Sequence, residues 1–191
     1  MQIIVETSAR HVHVTAEHLA VLFGAPLTVK KELSQPGQFA SNQRVDVAGP
    51  KNTLKNVMII GPERAATQVE LSATDARNIG VSAPIRESGD TKDSAGATLI
   101  GPAGQVEITE GVILGKRHLH ATPETAKALG LTNGEEIGVK VTGTGRSGIL
   151  CDAVVRVSSS FADAVHIDTD EANALGITGE TIAEIITDCR C

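Results

Sequence analysis

Short apolar or alternating stretches recur along the chain, at Ile3 to Val5, Arg44 to Val47, Leu54 to Ile60, Gln105 to Ile108, Val112 to Leu114, Glu136 to Val141, Ile149 to Val157 and Ile182 to Ile186. Turn-forming pairs such as Gly61-Pro62, Gly101-Pro102 and Asn133-Gly134 separate them, so the pattern predicts many short strands. Four brief helices interrupt the strands. Thr122 is an N-cap with Pro123 at the first helical position, opening a helix over Pro123 to Leu129 that Gly130 stops. Asp168 with Glu171 has the spacing of a capping box ahead of Ala172 to Leu175 and Gly176. The polar stretch Ser88 to Gly96 has no periodicity and reads as an exposed loop.

The chain is internally repeated. Arg10-His11-Val12-His13-Val14-Thr15 returns as Arg117-His118-Leu119-His120-Ala121-Thr122, and each copy precedes a short helix ending at a glycine, Gly24 or Gly130. Glu70-Leu71, Asp75-Ala76 and Ile79-Gly80-Val81 match His166-Ile167, Glu171-Ala172 and Leu175-Gly176-Ile177 at the same internal spacing. Glu70 therefore holds in the first half the place that His166 holds in the second.

Composition narrows the function classes. The 191 residues, 41% of them hydrophobic, suffice for a core in one domain or two small ones. Only Phe23, Phe39 and Phe161 are aromatic, so a base-stacking surface for nucleic acid has almost nothing to be made from. A net charge of -6 excludes a broad polyanion-binding face and leaves room for a local basic pocket. No apolar run approaches the roughly 20 residues of a spanning helix, and Met1 to Glu6 lacks the zones of a signal peptide. The expectation is a soluble cytoplasmic protein with neither a membrane nor a nucleic acid as partner. Cys151, Cys189 and Cys191 are an odd set in no disulfide-scaffold spacing and are read as reduced. Cys151 is taken as an inert core thiol, and Cys189-Arg190-Cys191 as a frayed tail rather than a metal site.

Candidate chemistry sits in the repeat. His-x-His on a strand puts both imidazoles on one face, about 6 to 7 Å apart along the backbone, where they can share a metal ion. The motif occurs twice, and with His166 it takes up five of the six histidines; His18 is read as a surface residue. The repeat adds a third ligand to each half, giving His11, His13 and Glu70, and His118, His120 and His166. Three protein ligands with an open position is the pattern of catalytic zinc, whereas structural zinc is closed by four. With Zn²⁺ the carboxylate set carries a charge of about +1 and is neutralised by a thiolate, while the all-histidine set keeps +2 for an anion or a carbonyl oxygen. Arg64, shortly before Glu70, is either a bidentate grip for phosphate beside a metal or an ordinary surface arginine. Asp168, Asp170 and Glu171 are assigned to a helix N-terminus rather than to a site. Gly143 to Gly148 matches G-x-G-x-x-G but lies between two strand-like segments, so it reads as a hairpin loop.

Ser8 to Thr15, Gly61-Pro62 to Glu70, Thr74 to Arg77, Arg117 to His120 and His166 to Ala174 together resemble the PduL-type phosphate acyltransferases, through nearly the whole chain. The resemblance implies a mostly β protein of two small β-barrels related by internal duplication and capped by short α-helices. Residues 10–115 would form one barrel half, with His11, His13 and Glu70; residues 1–9 and 116–191 would form the other, with His118, His120 and His166. The implied activity is reversible transfer of a short acyl group, acetyl or propanoyl, between coenzyme A and inorganic phosphate, by direct transfer at a two-zinc site. One zinc ion would be held by His11, His13 and Glu70 and accept the coenzyme A sulfur; the other would be held by His118, His120, His166 and water. Arg64 matches the family's phosphate-binding arginine, and the family suggests a homodimer. The chain begins at its first strand without the amphipathic extension that directs family members into bacterial microcompartments, so a cytoplasmic enzyme of acetate or propanediol metabolism is expected ahead of an encapsulated one. A zinc-dependent acyl-CoA thioesterase is the nearest alternative, and a non-catalytic metal-binding module the next.

Overall fold

The computed structural model describes residues 2–189, so Arg190 and Cys191 of the expected Cys189-Arg190-Cys191 tail lie outside the described residues. In chain order the elements are β1 (Gln2–Ser8), β2 (His11–His13), α1 (Ala16–Phe23), β3 (Val29–Glu32), β4 (Phe39–Ala48), β5 (Thr53–Gly61), β6 (Gln68–Leu71), α2 (Ala73–Ile79), β7 (Ile85–Arg86) and β8 (Ala95–Ile100). They continue with β9 (Gln105–Gly115), β10 (His118–Ala121), α3 (Pro123–Leu129), β11 (Glu136–Val141), β12 (Gly148–Val157), β13 (Ala164–Asp168), α4 (Thr169–Ala174) and β14 (Thr181–Ile186). No helix among the described residues is long and apolar enough to cross a membrane.

These elements fall into two compact units, one running Ala9–Gly115, the other joining the segment up to Ser8 with the chain from Lys116 onward. In the second unit β1, β13, β10, β12, β11 and β14 close a barrel. In the first, β4, β5, β2, β6 and β9 lie edge to edge and β8 pairs with both β4 and β9, closing a second barrel of six strands with β3 and β7 as outliers. The duplicated, mostly β, helix-capped architecture is thus the one the family resemblance implied.

The two barrels are wired alike. Each His-x-His strand runs parallel to one neighbour and antiparallel to the other, β2 to β5 and β6, β10 to β12 and β13. β6 is parallel to β9 as β13 is to β1. Yet β1 precedes β2 in sequence and β9 precedes β10, so each repeat lends its leading strand to the barrel of the other.

Alternation along the strands decides what each barrel encloses. Val12, Val69 and Leu71 join Val47, Ile59 and Leu99 in one core; Leu119, Val165 and Ile167 join Ile137, Val139 and Ile3 in the other. Each such side chain contributes about 1.5 to 3 kcal/mol when fully buried, so a one-residue slip of a His-x-His strand would expose an aliphatic side chain and drive two imidazoles into the core. That difference pins the register. Helices close the ends with local hydrogen bonds: Thr15, Ser72, Thr122 and Asp168 cap α1 to α4, and Asp168 with Glu171 forms the full capping box.

Several expectations need correction. Cys151 and Cys189 are joined by a disulfide, so neither is a free thiol and Cys151, half-buried on β12, is not an inert core residue. Cysteine spacing could not reveal the pair, because the bridge crosses β11 at Gly138, where a Cβ would stand 2.7 Å from the Cys189 side chain. Only a residue without a side chain leaves that passage open. The segments Gln105 to Ile108 and Val112 to Leu114 form one strand, β9, whose early residues pair with β8 and later ones with β6. The polar stretch after Ser88 is not wholly a loop, since Ala95 and Gly96 begin β8. His18 is half-buried, its Nδ1 2.7 Å from Thr67 Oγ1. Gly143 to Gly148 does connect the antiparallel strands β11 and β12.

Replacing Asp168 by Ala removes the acceptor for the Glu171 backbone N–H and should cost about 1 kcal/mol, within the 0.5 to 2 kcal/mol range of such caps. Chemical denaturation of the variant beside wild type measures this; an unchanged midpoint would mean that α4 does not depend on its cap.

Candidate active site

β2 is three residues long. Because Val12 enters the barrel core, His11 and His13 project from the opposite face; on β6, Val69 and Leu71 enter the core, so Gln68 and Glu70 share that face. Register sets Glu70 directly across from His11 and Gln68 across from His13. Nε2 of His11 and of His13 lie 3.6 and 4.0 Å from Glu70 Oε1. His11 Nδ1 is 2.9 Å from the Ala9 carbonyl oxygen and His13 Nδ1 3.0 Å from that of Ile60. A carbonyl only accepts, so in each neutral ring Nδ1 carries the proton and Nε2 keeps its lone pair toward Glu70.

The second triad is built the same way from β10 and β13. Leu119 enters the core between His118 and His120, and His118 stands directly across from His166. The three ring centroids are 4.6 to 5.0 Å apart. His118 Nδ1 reaches back to the Lys116 carbonyl at 2.9 Å, as His11 does to Ala9. His166 Nδ1 faces the Glu6 carboxylate of β1 at 3.7 Å. His120 is stacked on Phe161, with ring centroids 3.9 Å apart, and neither of its buried nitrogens has a hydrogen-bond partner among the described residues. Leaving such a group unsatisfied costs about 1 to 3 kcal/mol, which a cation at the triad would remove.

In both triads the ligand atoms lie within 4.8 Å of one another. Imidazole nitrogens with at most one carboxylate suit zinc, so the residues present fit a divalent cation of that kind.

Electrostatics divide the two. Burial alone would raise the pKa of Glu70, but the adjacent His11 charge and hydrogen bonds from its neighbours outweigh it and hold the carboxylate ionised, well below the usual range. Burial likewise works against charging His11, yet Glu70 prevails and raises its pKa. His13 is pushed down to about 3 by burial and by the charges of His11 and Arg64. His120 is pushed down to about 2 by burial and by His118, His166 and Arg156. Both rings are therefore neutral at ordinary pH and offer lone pairs rather than protons.

Arg64, whose backbone N–H bonds the Val14 carbonyl oxygen at 2.9 Å, sits beside the first triad. Its Nη1 donates to Ser88 Oγ at 3.0 Å, and Ser88 in turn donates to Glu70 Oε1 at 2.6 Å. Gln68 Nε2 reaches the same carboxylate oxygen at 2.6 Å. Sequence reasoning missed both residues. Gln68 was within its reach, two positions before Glu70 on the same strand face; Ser88 was not, because it comes from the stretch read as an exposed loop. Gly115 of β9 completes the surround, since a Cβ there would stand 2.8 Å from Glu70 Oε2. Asp168 and Glu171 serve the α4 cap, and Asp170 lies in that helix's first turn. Glu171 also pairs with Arg117 at 2.6 Å, the counterpart of the Arg10–Asp75 pair at 3.0 Å in the first repeat.

Fold and site together define a duplicated two-barrel protein with a cation-ready triad in each repeat. The family model for phosphate propanoyltransferase matches residues 4–178, and the chain belongs to that family. It is an acyltransferase. Phosphate propanoyltransferases of Shewanella putrefaciens and Enterococcus faecalis are each 49% identical to it, over 94% of this chain and 86% of the relative in the first case, and over 91% and 83% in the second. The Clostridioides difficile phosphate propanoyltransferase is 45% identical, over 95% of this chain and 88% of its own length.

In protein stripped of metal, Glu70→Gln removes the charge that raises His11 and leaves burial to prevail, so the His11 pKa should fall below its ordinary 6.5. An NMR titration of the His11 ring checks the direction, and an unmoved pKa would uncouple the two residues.

Proposed function

We propose that this chain reversibly transfers a short acyl group, propanoyl or acetyl, between coenzyme A and inorganic phosphate, with one zinc ion held by His11, His13 and Glu70 and a second by His118, His120 and His166. The observation that carries this reading is the short path from Arg64 through the Ser88 hydroxyl to Glu70. A guanidinium held this close to a ligand carboxylate can keep a phosphate beside the metal, which a storage module does not require, and a thioesterase, whose acceptor is water, needs no such grip at the acceptor position. The relatives' name supplies the propanoyl group.

In the acyl-phosphate-forming direction, a phosphate oxygen bonds to the thioester carbonyl carbon, the carbon–sulfur bond breaks, and coenzyme A leaves as the thiolate. Arg64 holds the phosphate by paired N–H donors and offsets its charge, so that attack begins from an oriented, bound nucleophile. Zinc, when bound, supplies a Lewis acid that polarises a carbonyl and brings a thiol pKa below its free value of about 8.5. Glu70, ionised throughout, lowers the net charge of the first site to about +1, which suits a thiolate; the second site, all imidazole, suits a harder oxygen ligand. Ala9, Ile60 and Lys116 carbonyls hold His11, His13 and His118 in the tautomer that presents Nε2. Coenzyme A release from acetyl-, propanoyl- and butyryl-CoA should require phosphate. Release that runs equally fast without it would favour the thioesterase.

Elemental analysis of protein purified without chelators should find about two zinc ions per chain, and one or none would count heavily against both triads. Glu70→Gln and His13→Ala should lose activity and about one zinc ion each, while Asp170→Asn keeps most of both; equal losses in all three would erase the distinction between ligands and helix-terminal acids. Arg64→Lys keeps the charge but loses the fork. A charge-assisted bond of roughly 1.5 to 3 kcal/mol then translates into about a 10- to 150-fold fall in kcat/KM for phosphate, with zinc content unchanged and KM for the acyl-CoA moving much less. A defect confined to acyl-CoA would move Arg64 to the coenzyme A site.

A further inference from the structure

The geometry points to Ser88 as a positioning residue that sets the anion-gripping arginine and the metal-facing carboxylate with one hydroxyl. Three side chains meet at its oxygen: Arg64 Nη1 at 3.0 Å, Gln68 Nε2 at 2.9 Å and Glu70 Oε1 at 2.6 Å. A guanidinium and an amide nitrogen can only donate, and an ionised carboxylate can only accept. The hydroxyl has a single proton, so it must accept from Arg64 and Gln68 and donate to Glu70; no other arrangement satisfies all four groups.

Gln68 has no freedom to upset this. Its Oε1 accepts the Gly89 backbone N–H at 2.7 Å, which fixes the amide so that Nε2 faces both Ser88 and Glu70. The consecutive residues Ser88 and Gly89 therefore grip β6 at two points, by side chain and by backbone. Glu70 Oε1 receives two short donors, from Ser88 and Gln68, on the atom that also faces His11 and His13. Arg64 is oriented by the same hydroxyl. At the second triad Ala164 stands across from His120 where Gln68 stands across from His13, so no amide side chain occupies the matching strand position.

The inference rests on the reading of Arg64 as the phosphate grip and of Glu70 as a zinc ligand. Ser88→Ala should raise KM for phosphate about 10-fold, from the lost orientation of a charge-assisted donor, with KM for acyl-CoA changed much less. It should also weaken one of the two zinc ions by about 10- to 100-fold in chelator competition, as losing a hydrogen bond to a ligand does, and leave the other as in wild type. Ser88→Thr, which keeps the hydroxyl, should restore both quantities. A merely structural serine would not separate the two Michaelis constants or the two metal ions. Ser88→Ala with both zinc affinities and the phosphate KM within twofold of wild type overturns the inference, and so does a folded Ser88→Thr as impaired as Ser88→Ala. Wild-type protein that holds no zinc sinks the metal reading instead, and the phosphate KM of Ser88→Ala then decides the role of Ser88.

Discussion

The register between each His-x-His strand and its antiparallel neighbour is the constraint on which everything else rests. His11 must stand across from Glu70, and His118 across from His166, for either triad to exist. Neither polar group sets that register. The aliphatic residues between them do, because Val12, Val69 and Leu71 in one barrel and Leu119, Val165 and Ile167 in the other are buried only when the histidines face away from the core. The site's precision is borrowed from hydrophobic packing, which is how a cluster of costly, buried imidazoles is kept in place.

Duplication of one scaffold has not produced two copies of one site. A carboxylate replaces an imidazole at the third position, Gln68 replaces Ala164 beside it, and the Ile60 carbonyl that orients His13 has its place taken at His120 by the face of Phe161. The first centre is built around an ionised carboxylate; at the second, His120 is held neutral, stacked on Phe161 and flanked by Arg156. Shared strand wiring supplies the geometry, while individual substitutions supply the chemistry.

Much of this was legible in the sequence because it is local or repeated. Alternation along His11 to His13 and the match of Glu70 with His166 put the six triad residues in two groups, and the capping signals at Thr122 and Asp168 gave helices where they are found. The short strands β3, β6 and β13 carry too few residues for a period to show, although β6 and β13 hold Glu70 and His166. Ser88 was hidden for a different reason: where a loop touches down depends on the finished barrel. The Cys151–Cys189 bridge was hidden twice, by the odd cysteine count and by its dependence on a glycine in a third strand.

The exchange of leading strands also sets an order of events during synthesis. β9 follows β8 through a tight turn at Gly101 to Gly104, so the first barrel closes as its last strand emerges. β1 is made ahead of β2 to β12, yet its partners β13 and β14 come after all of them. Throughout the addition of residues 9–163 its two edges and the side chains of Ile3 and Val5 lack the neighbours that will cover them. Closing that seam is a long-range step, slow by comparison with a hairpin, and it exposes a strand edge to wrong partners. The strand that brings Glu6 to His166 is therefore the one a nascent chain must guard longest.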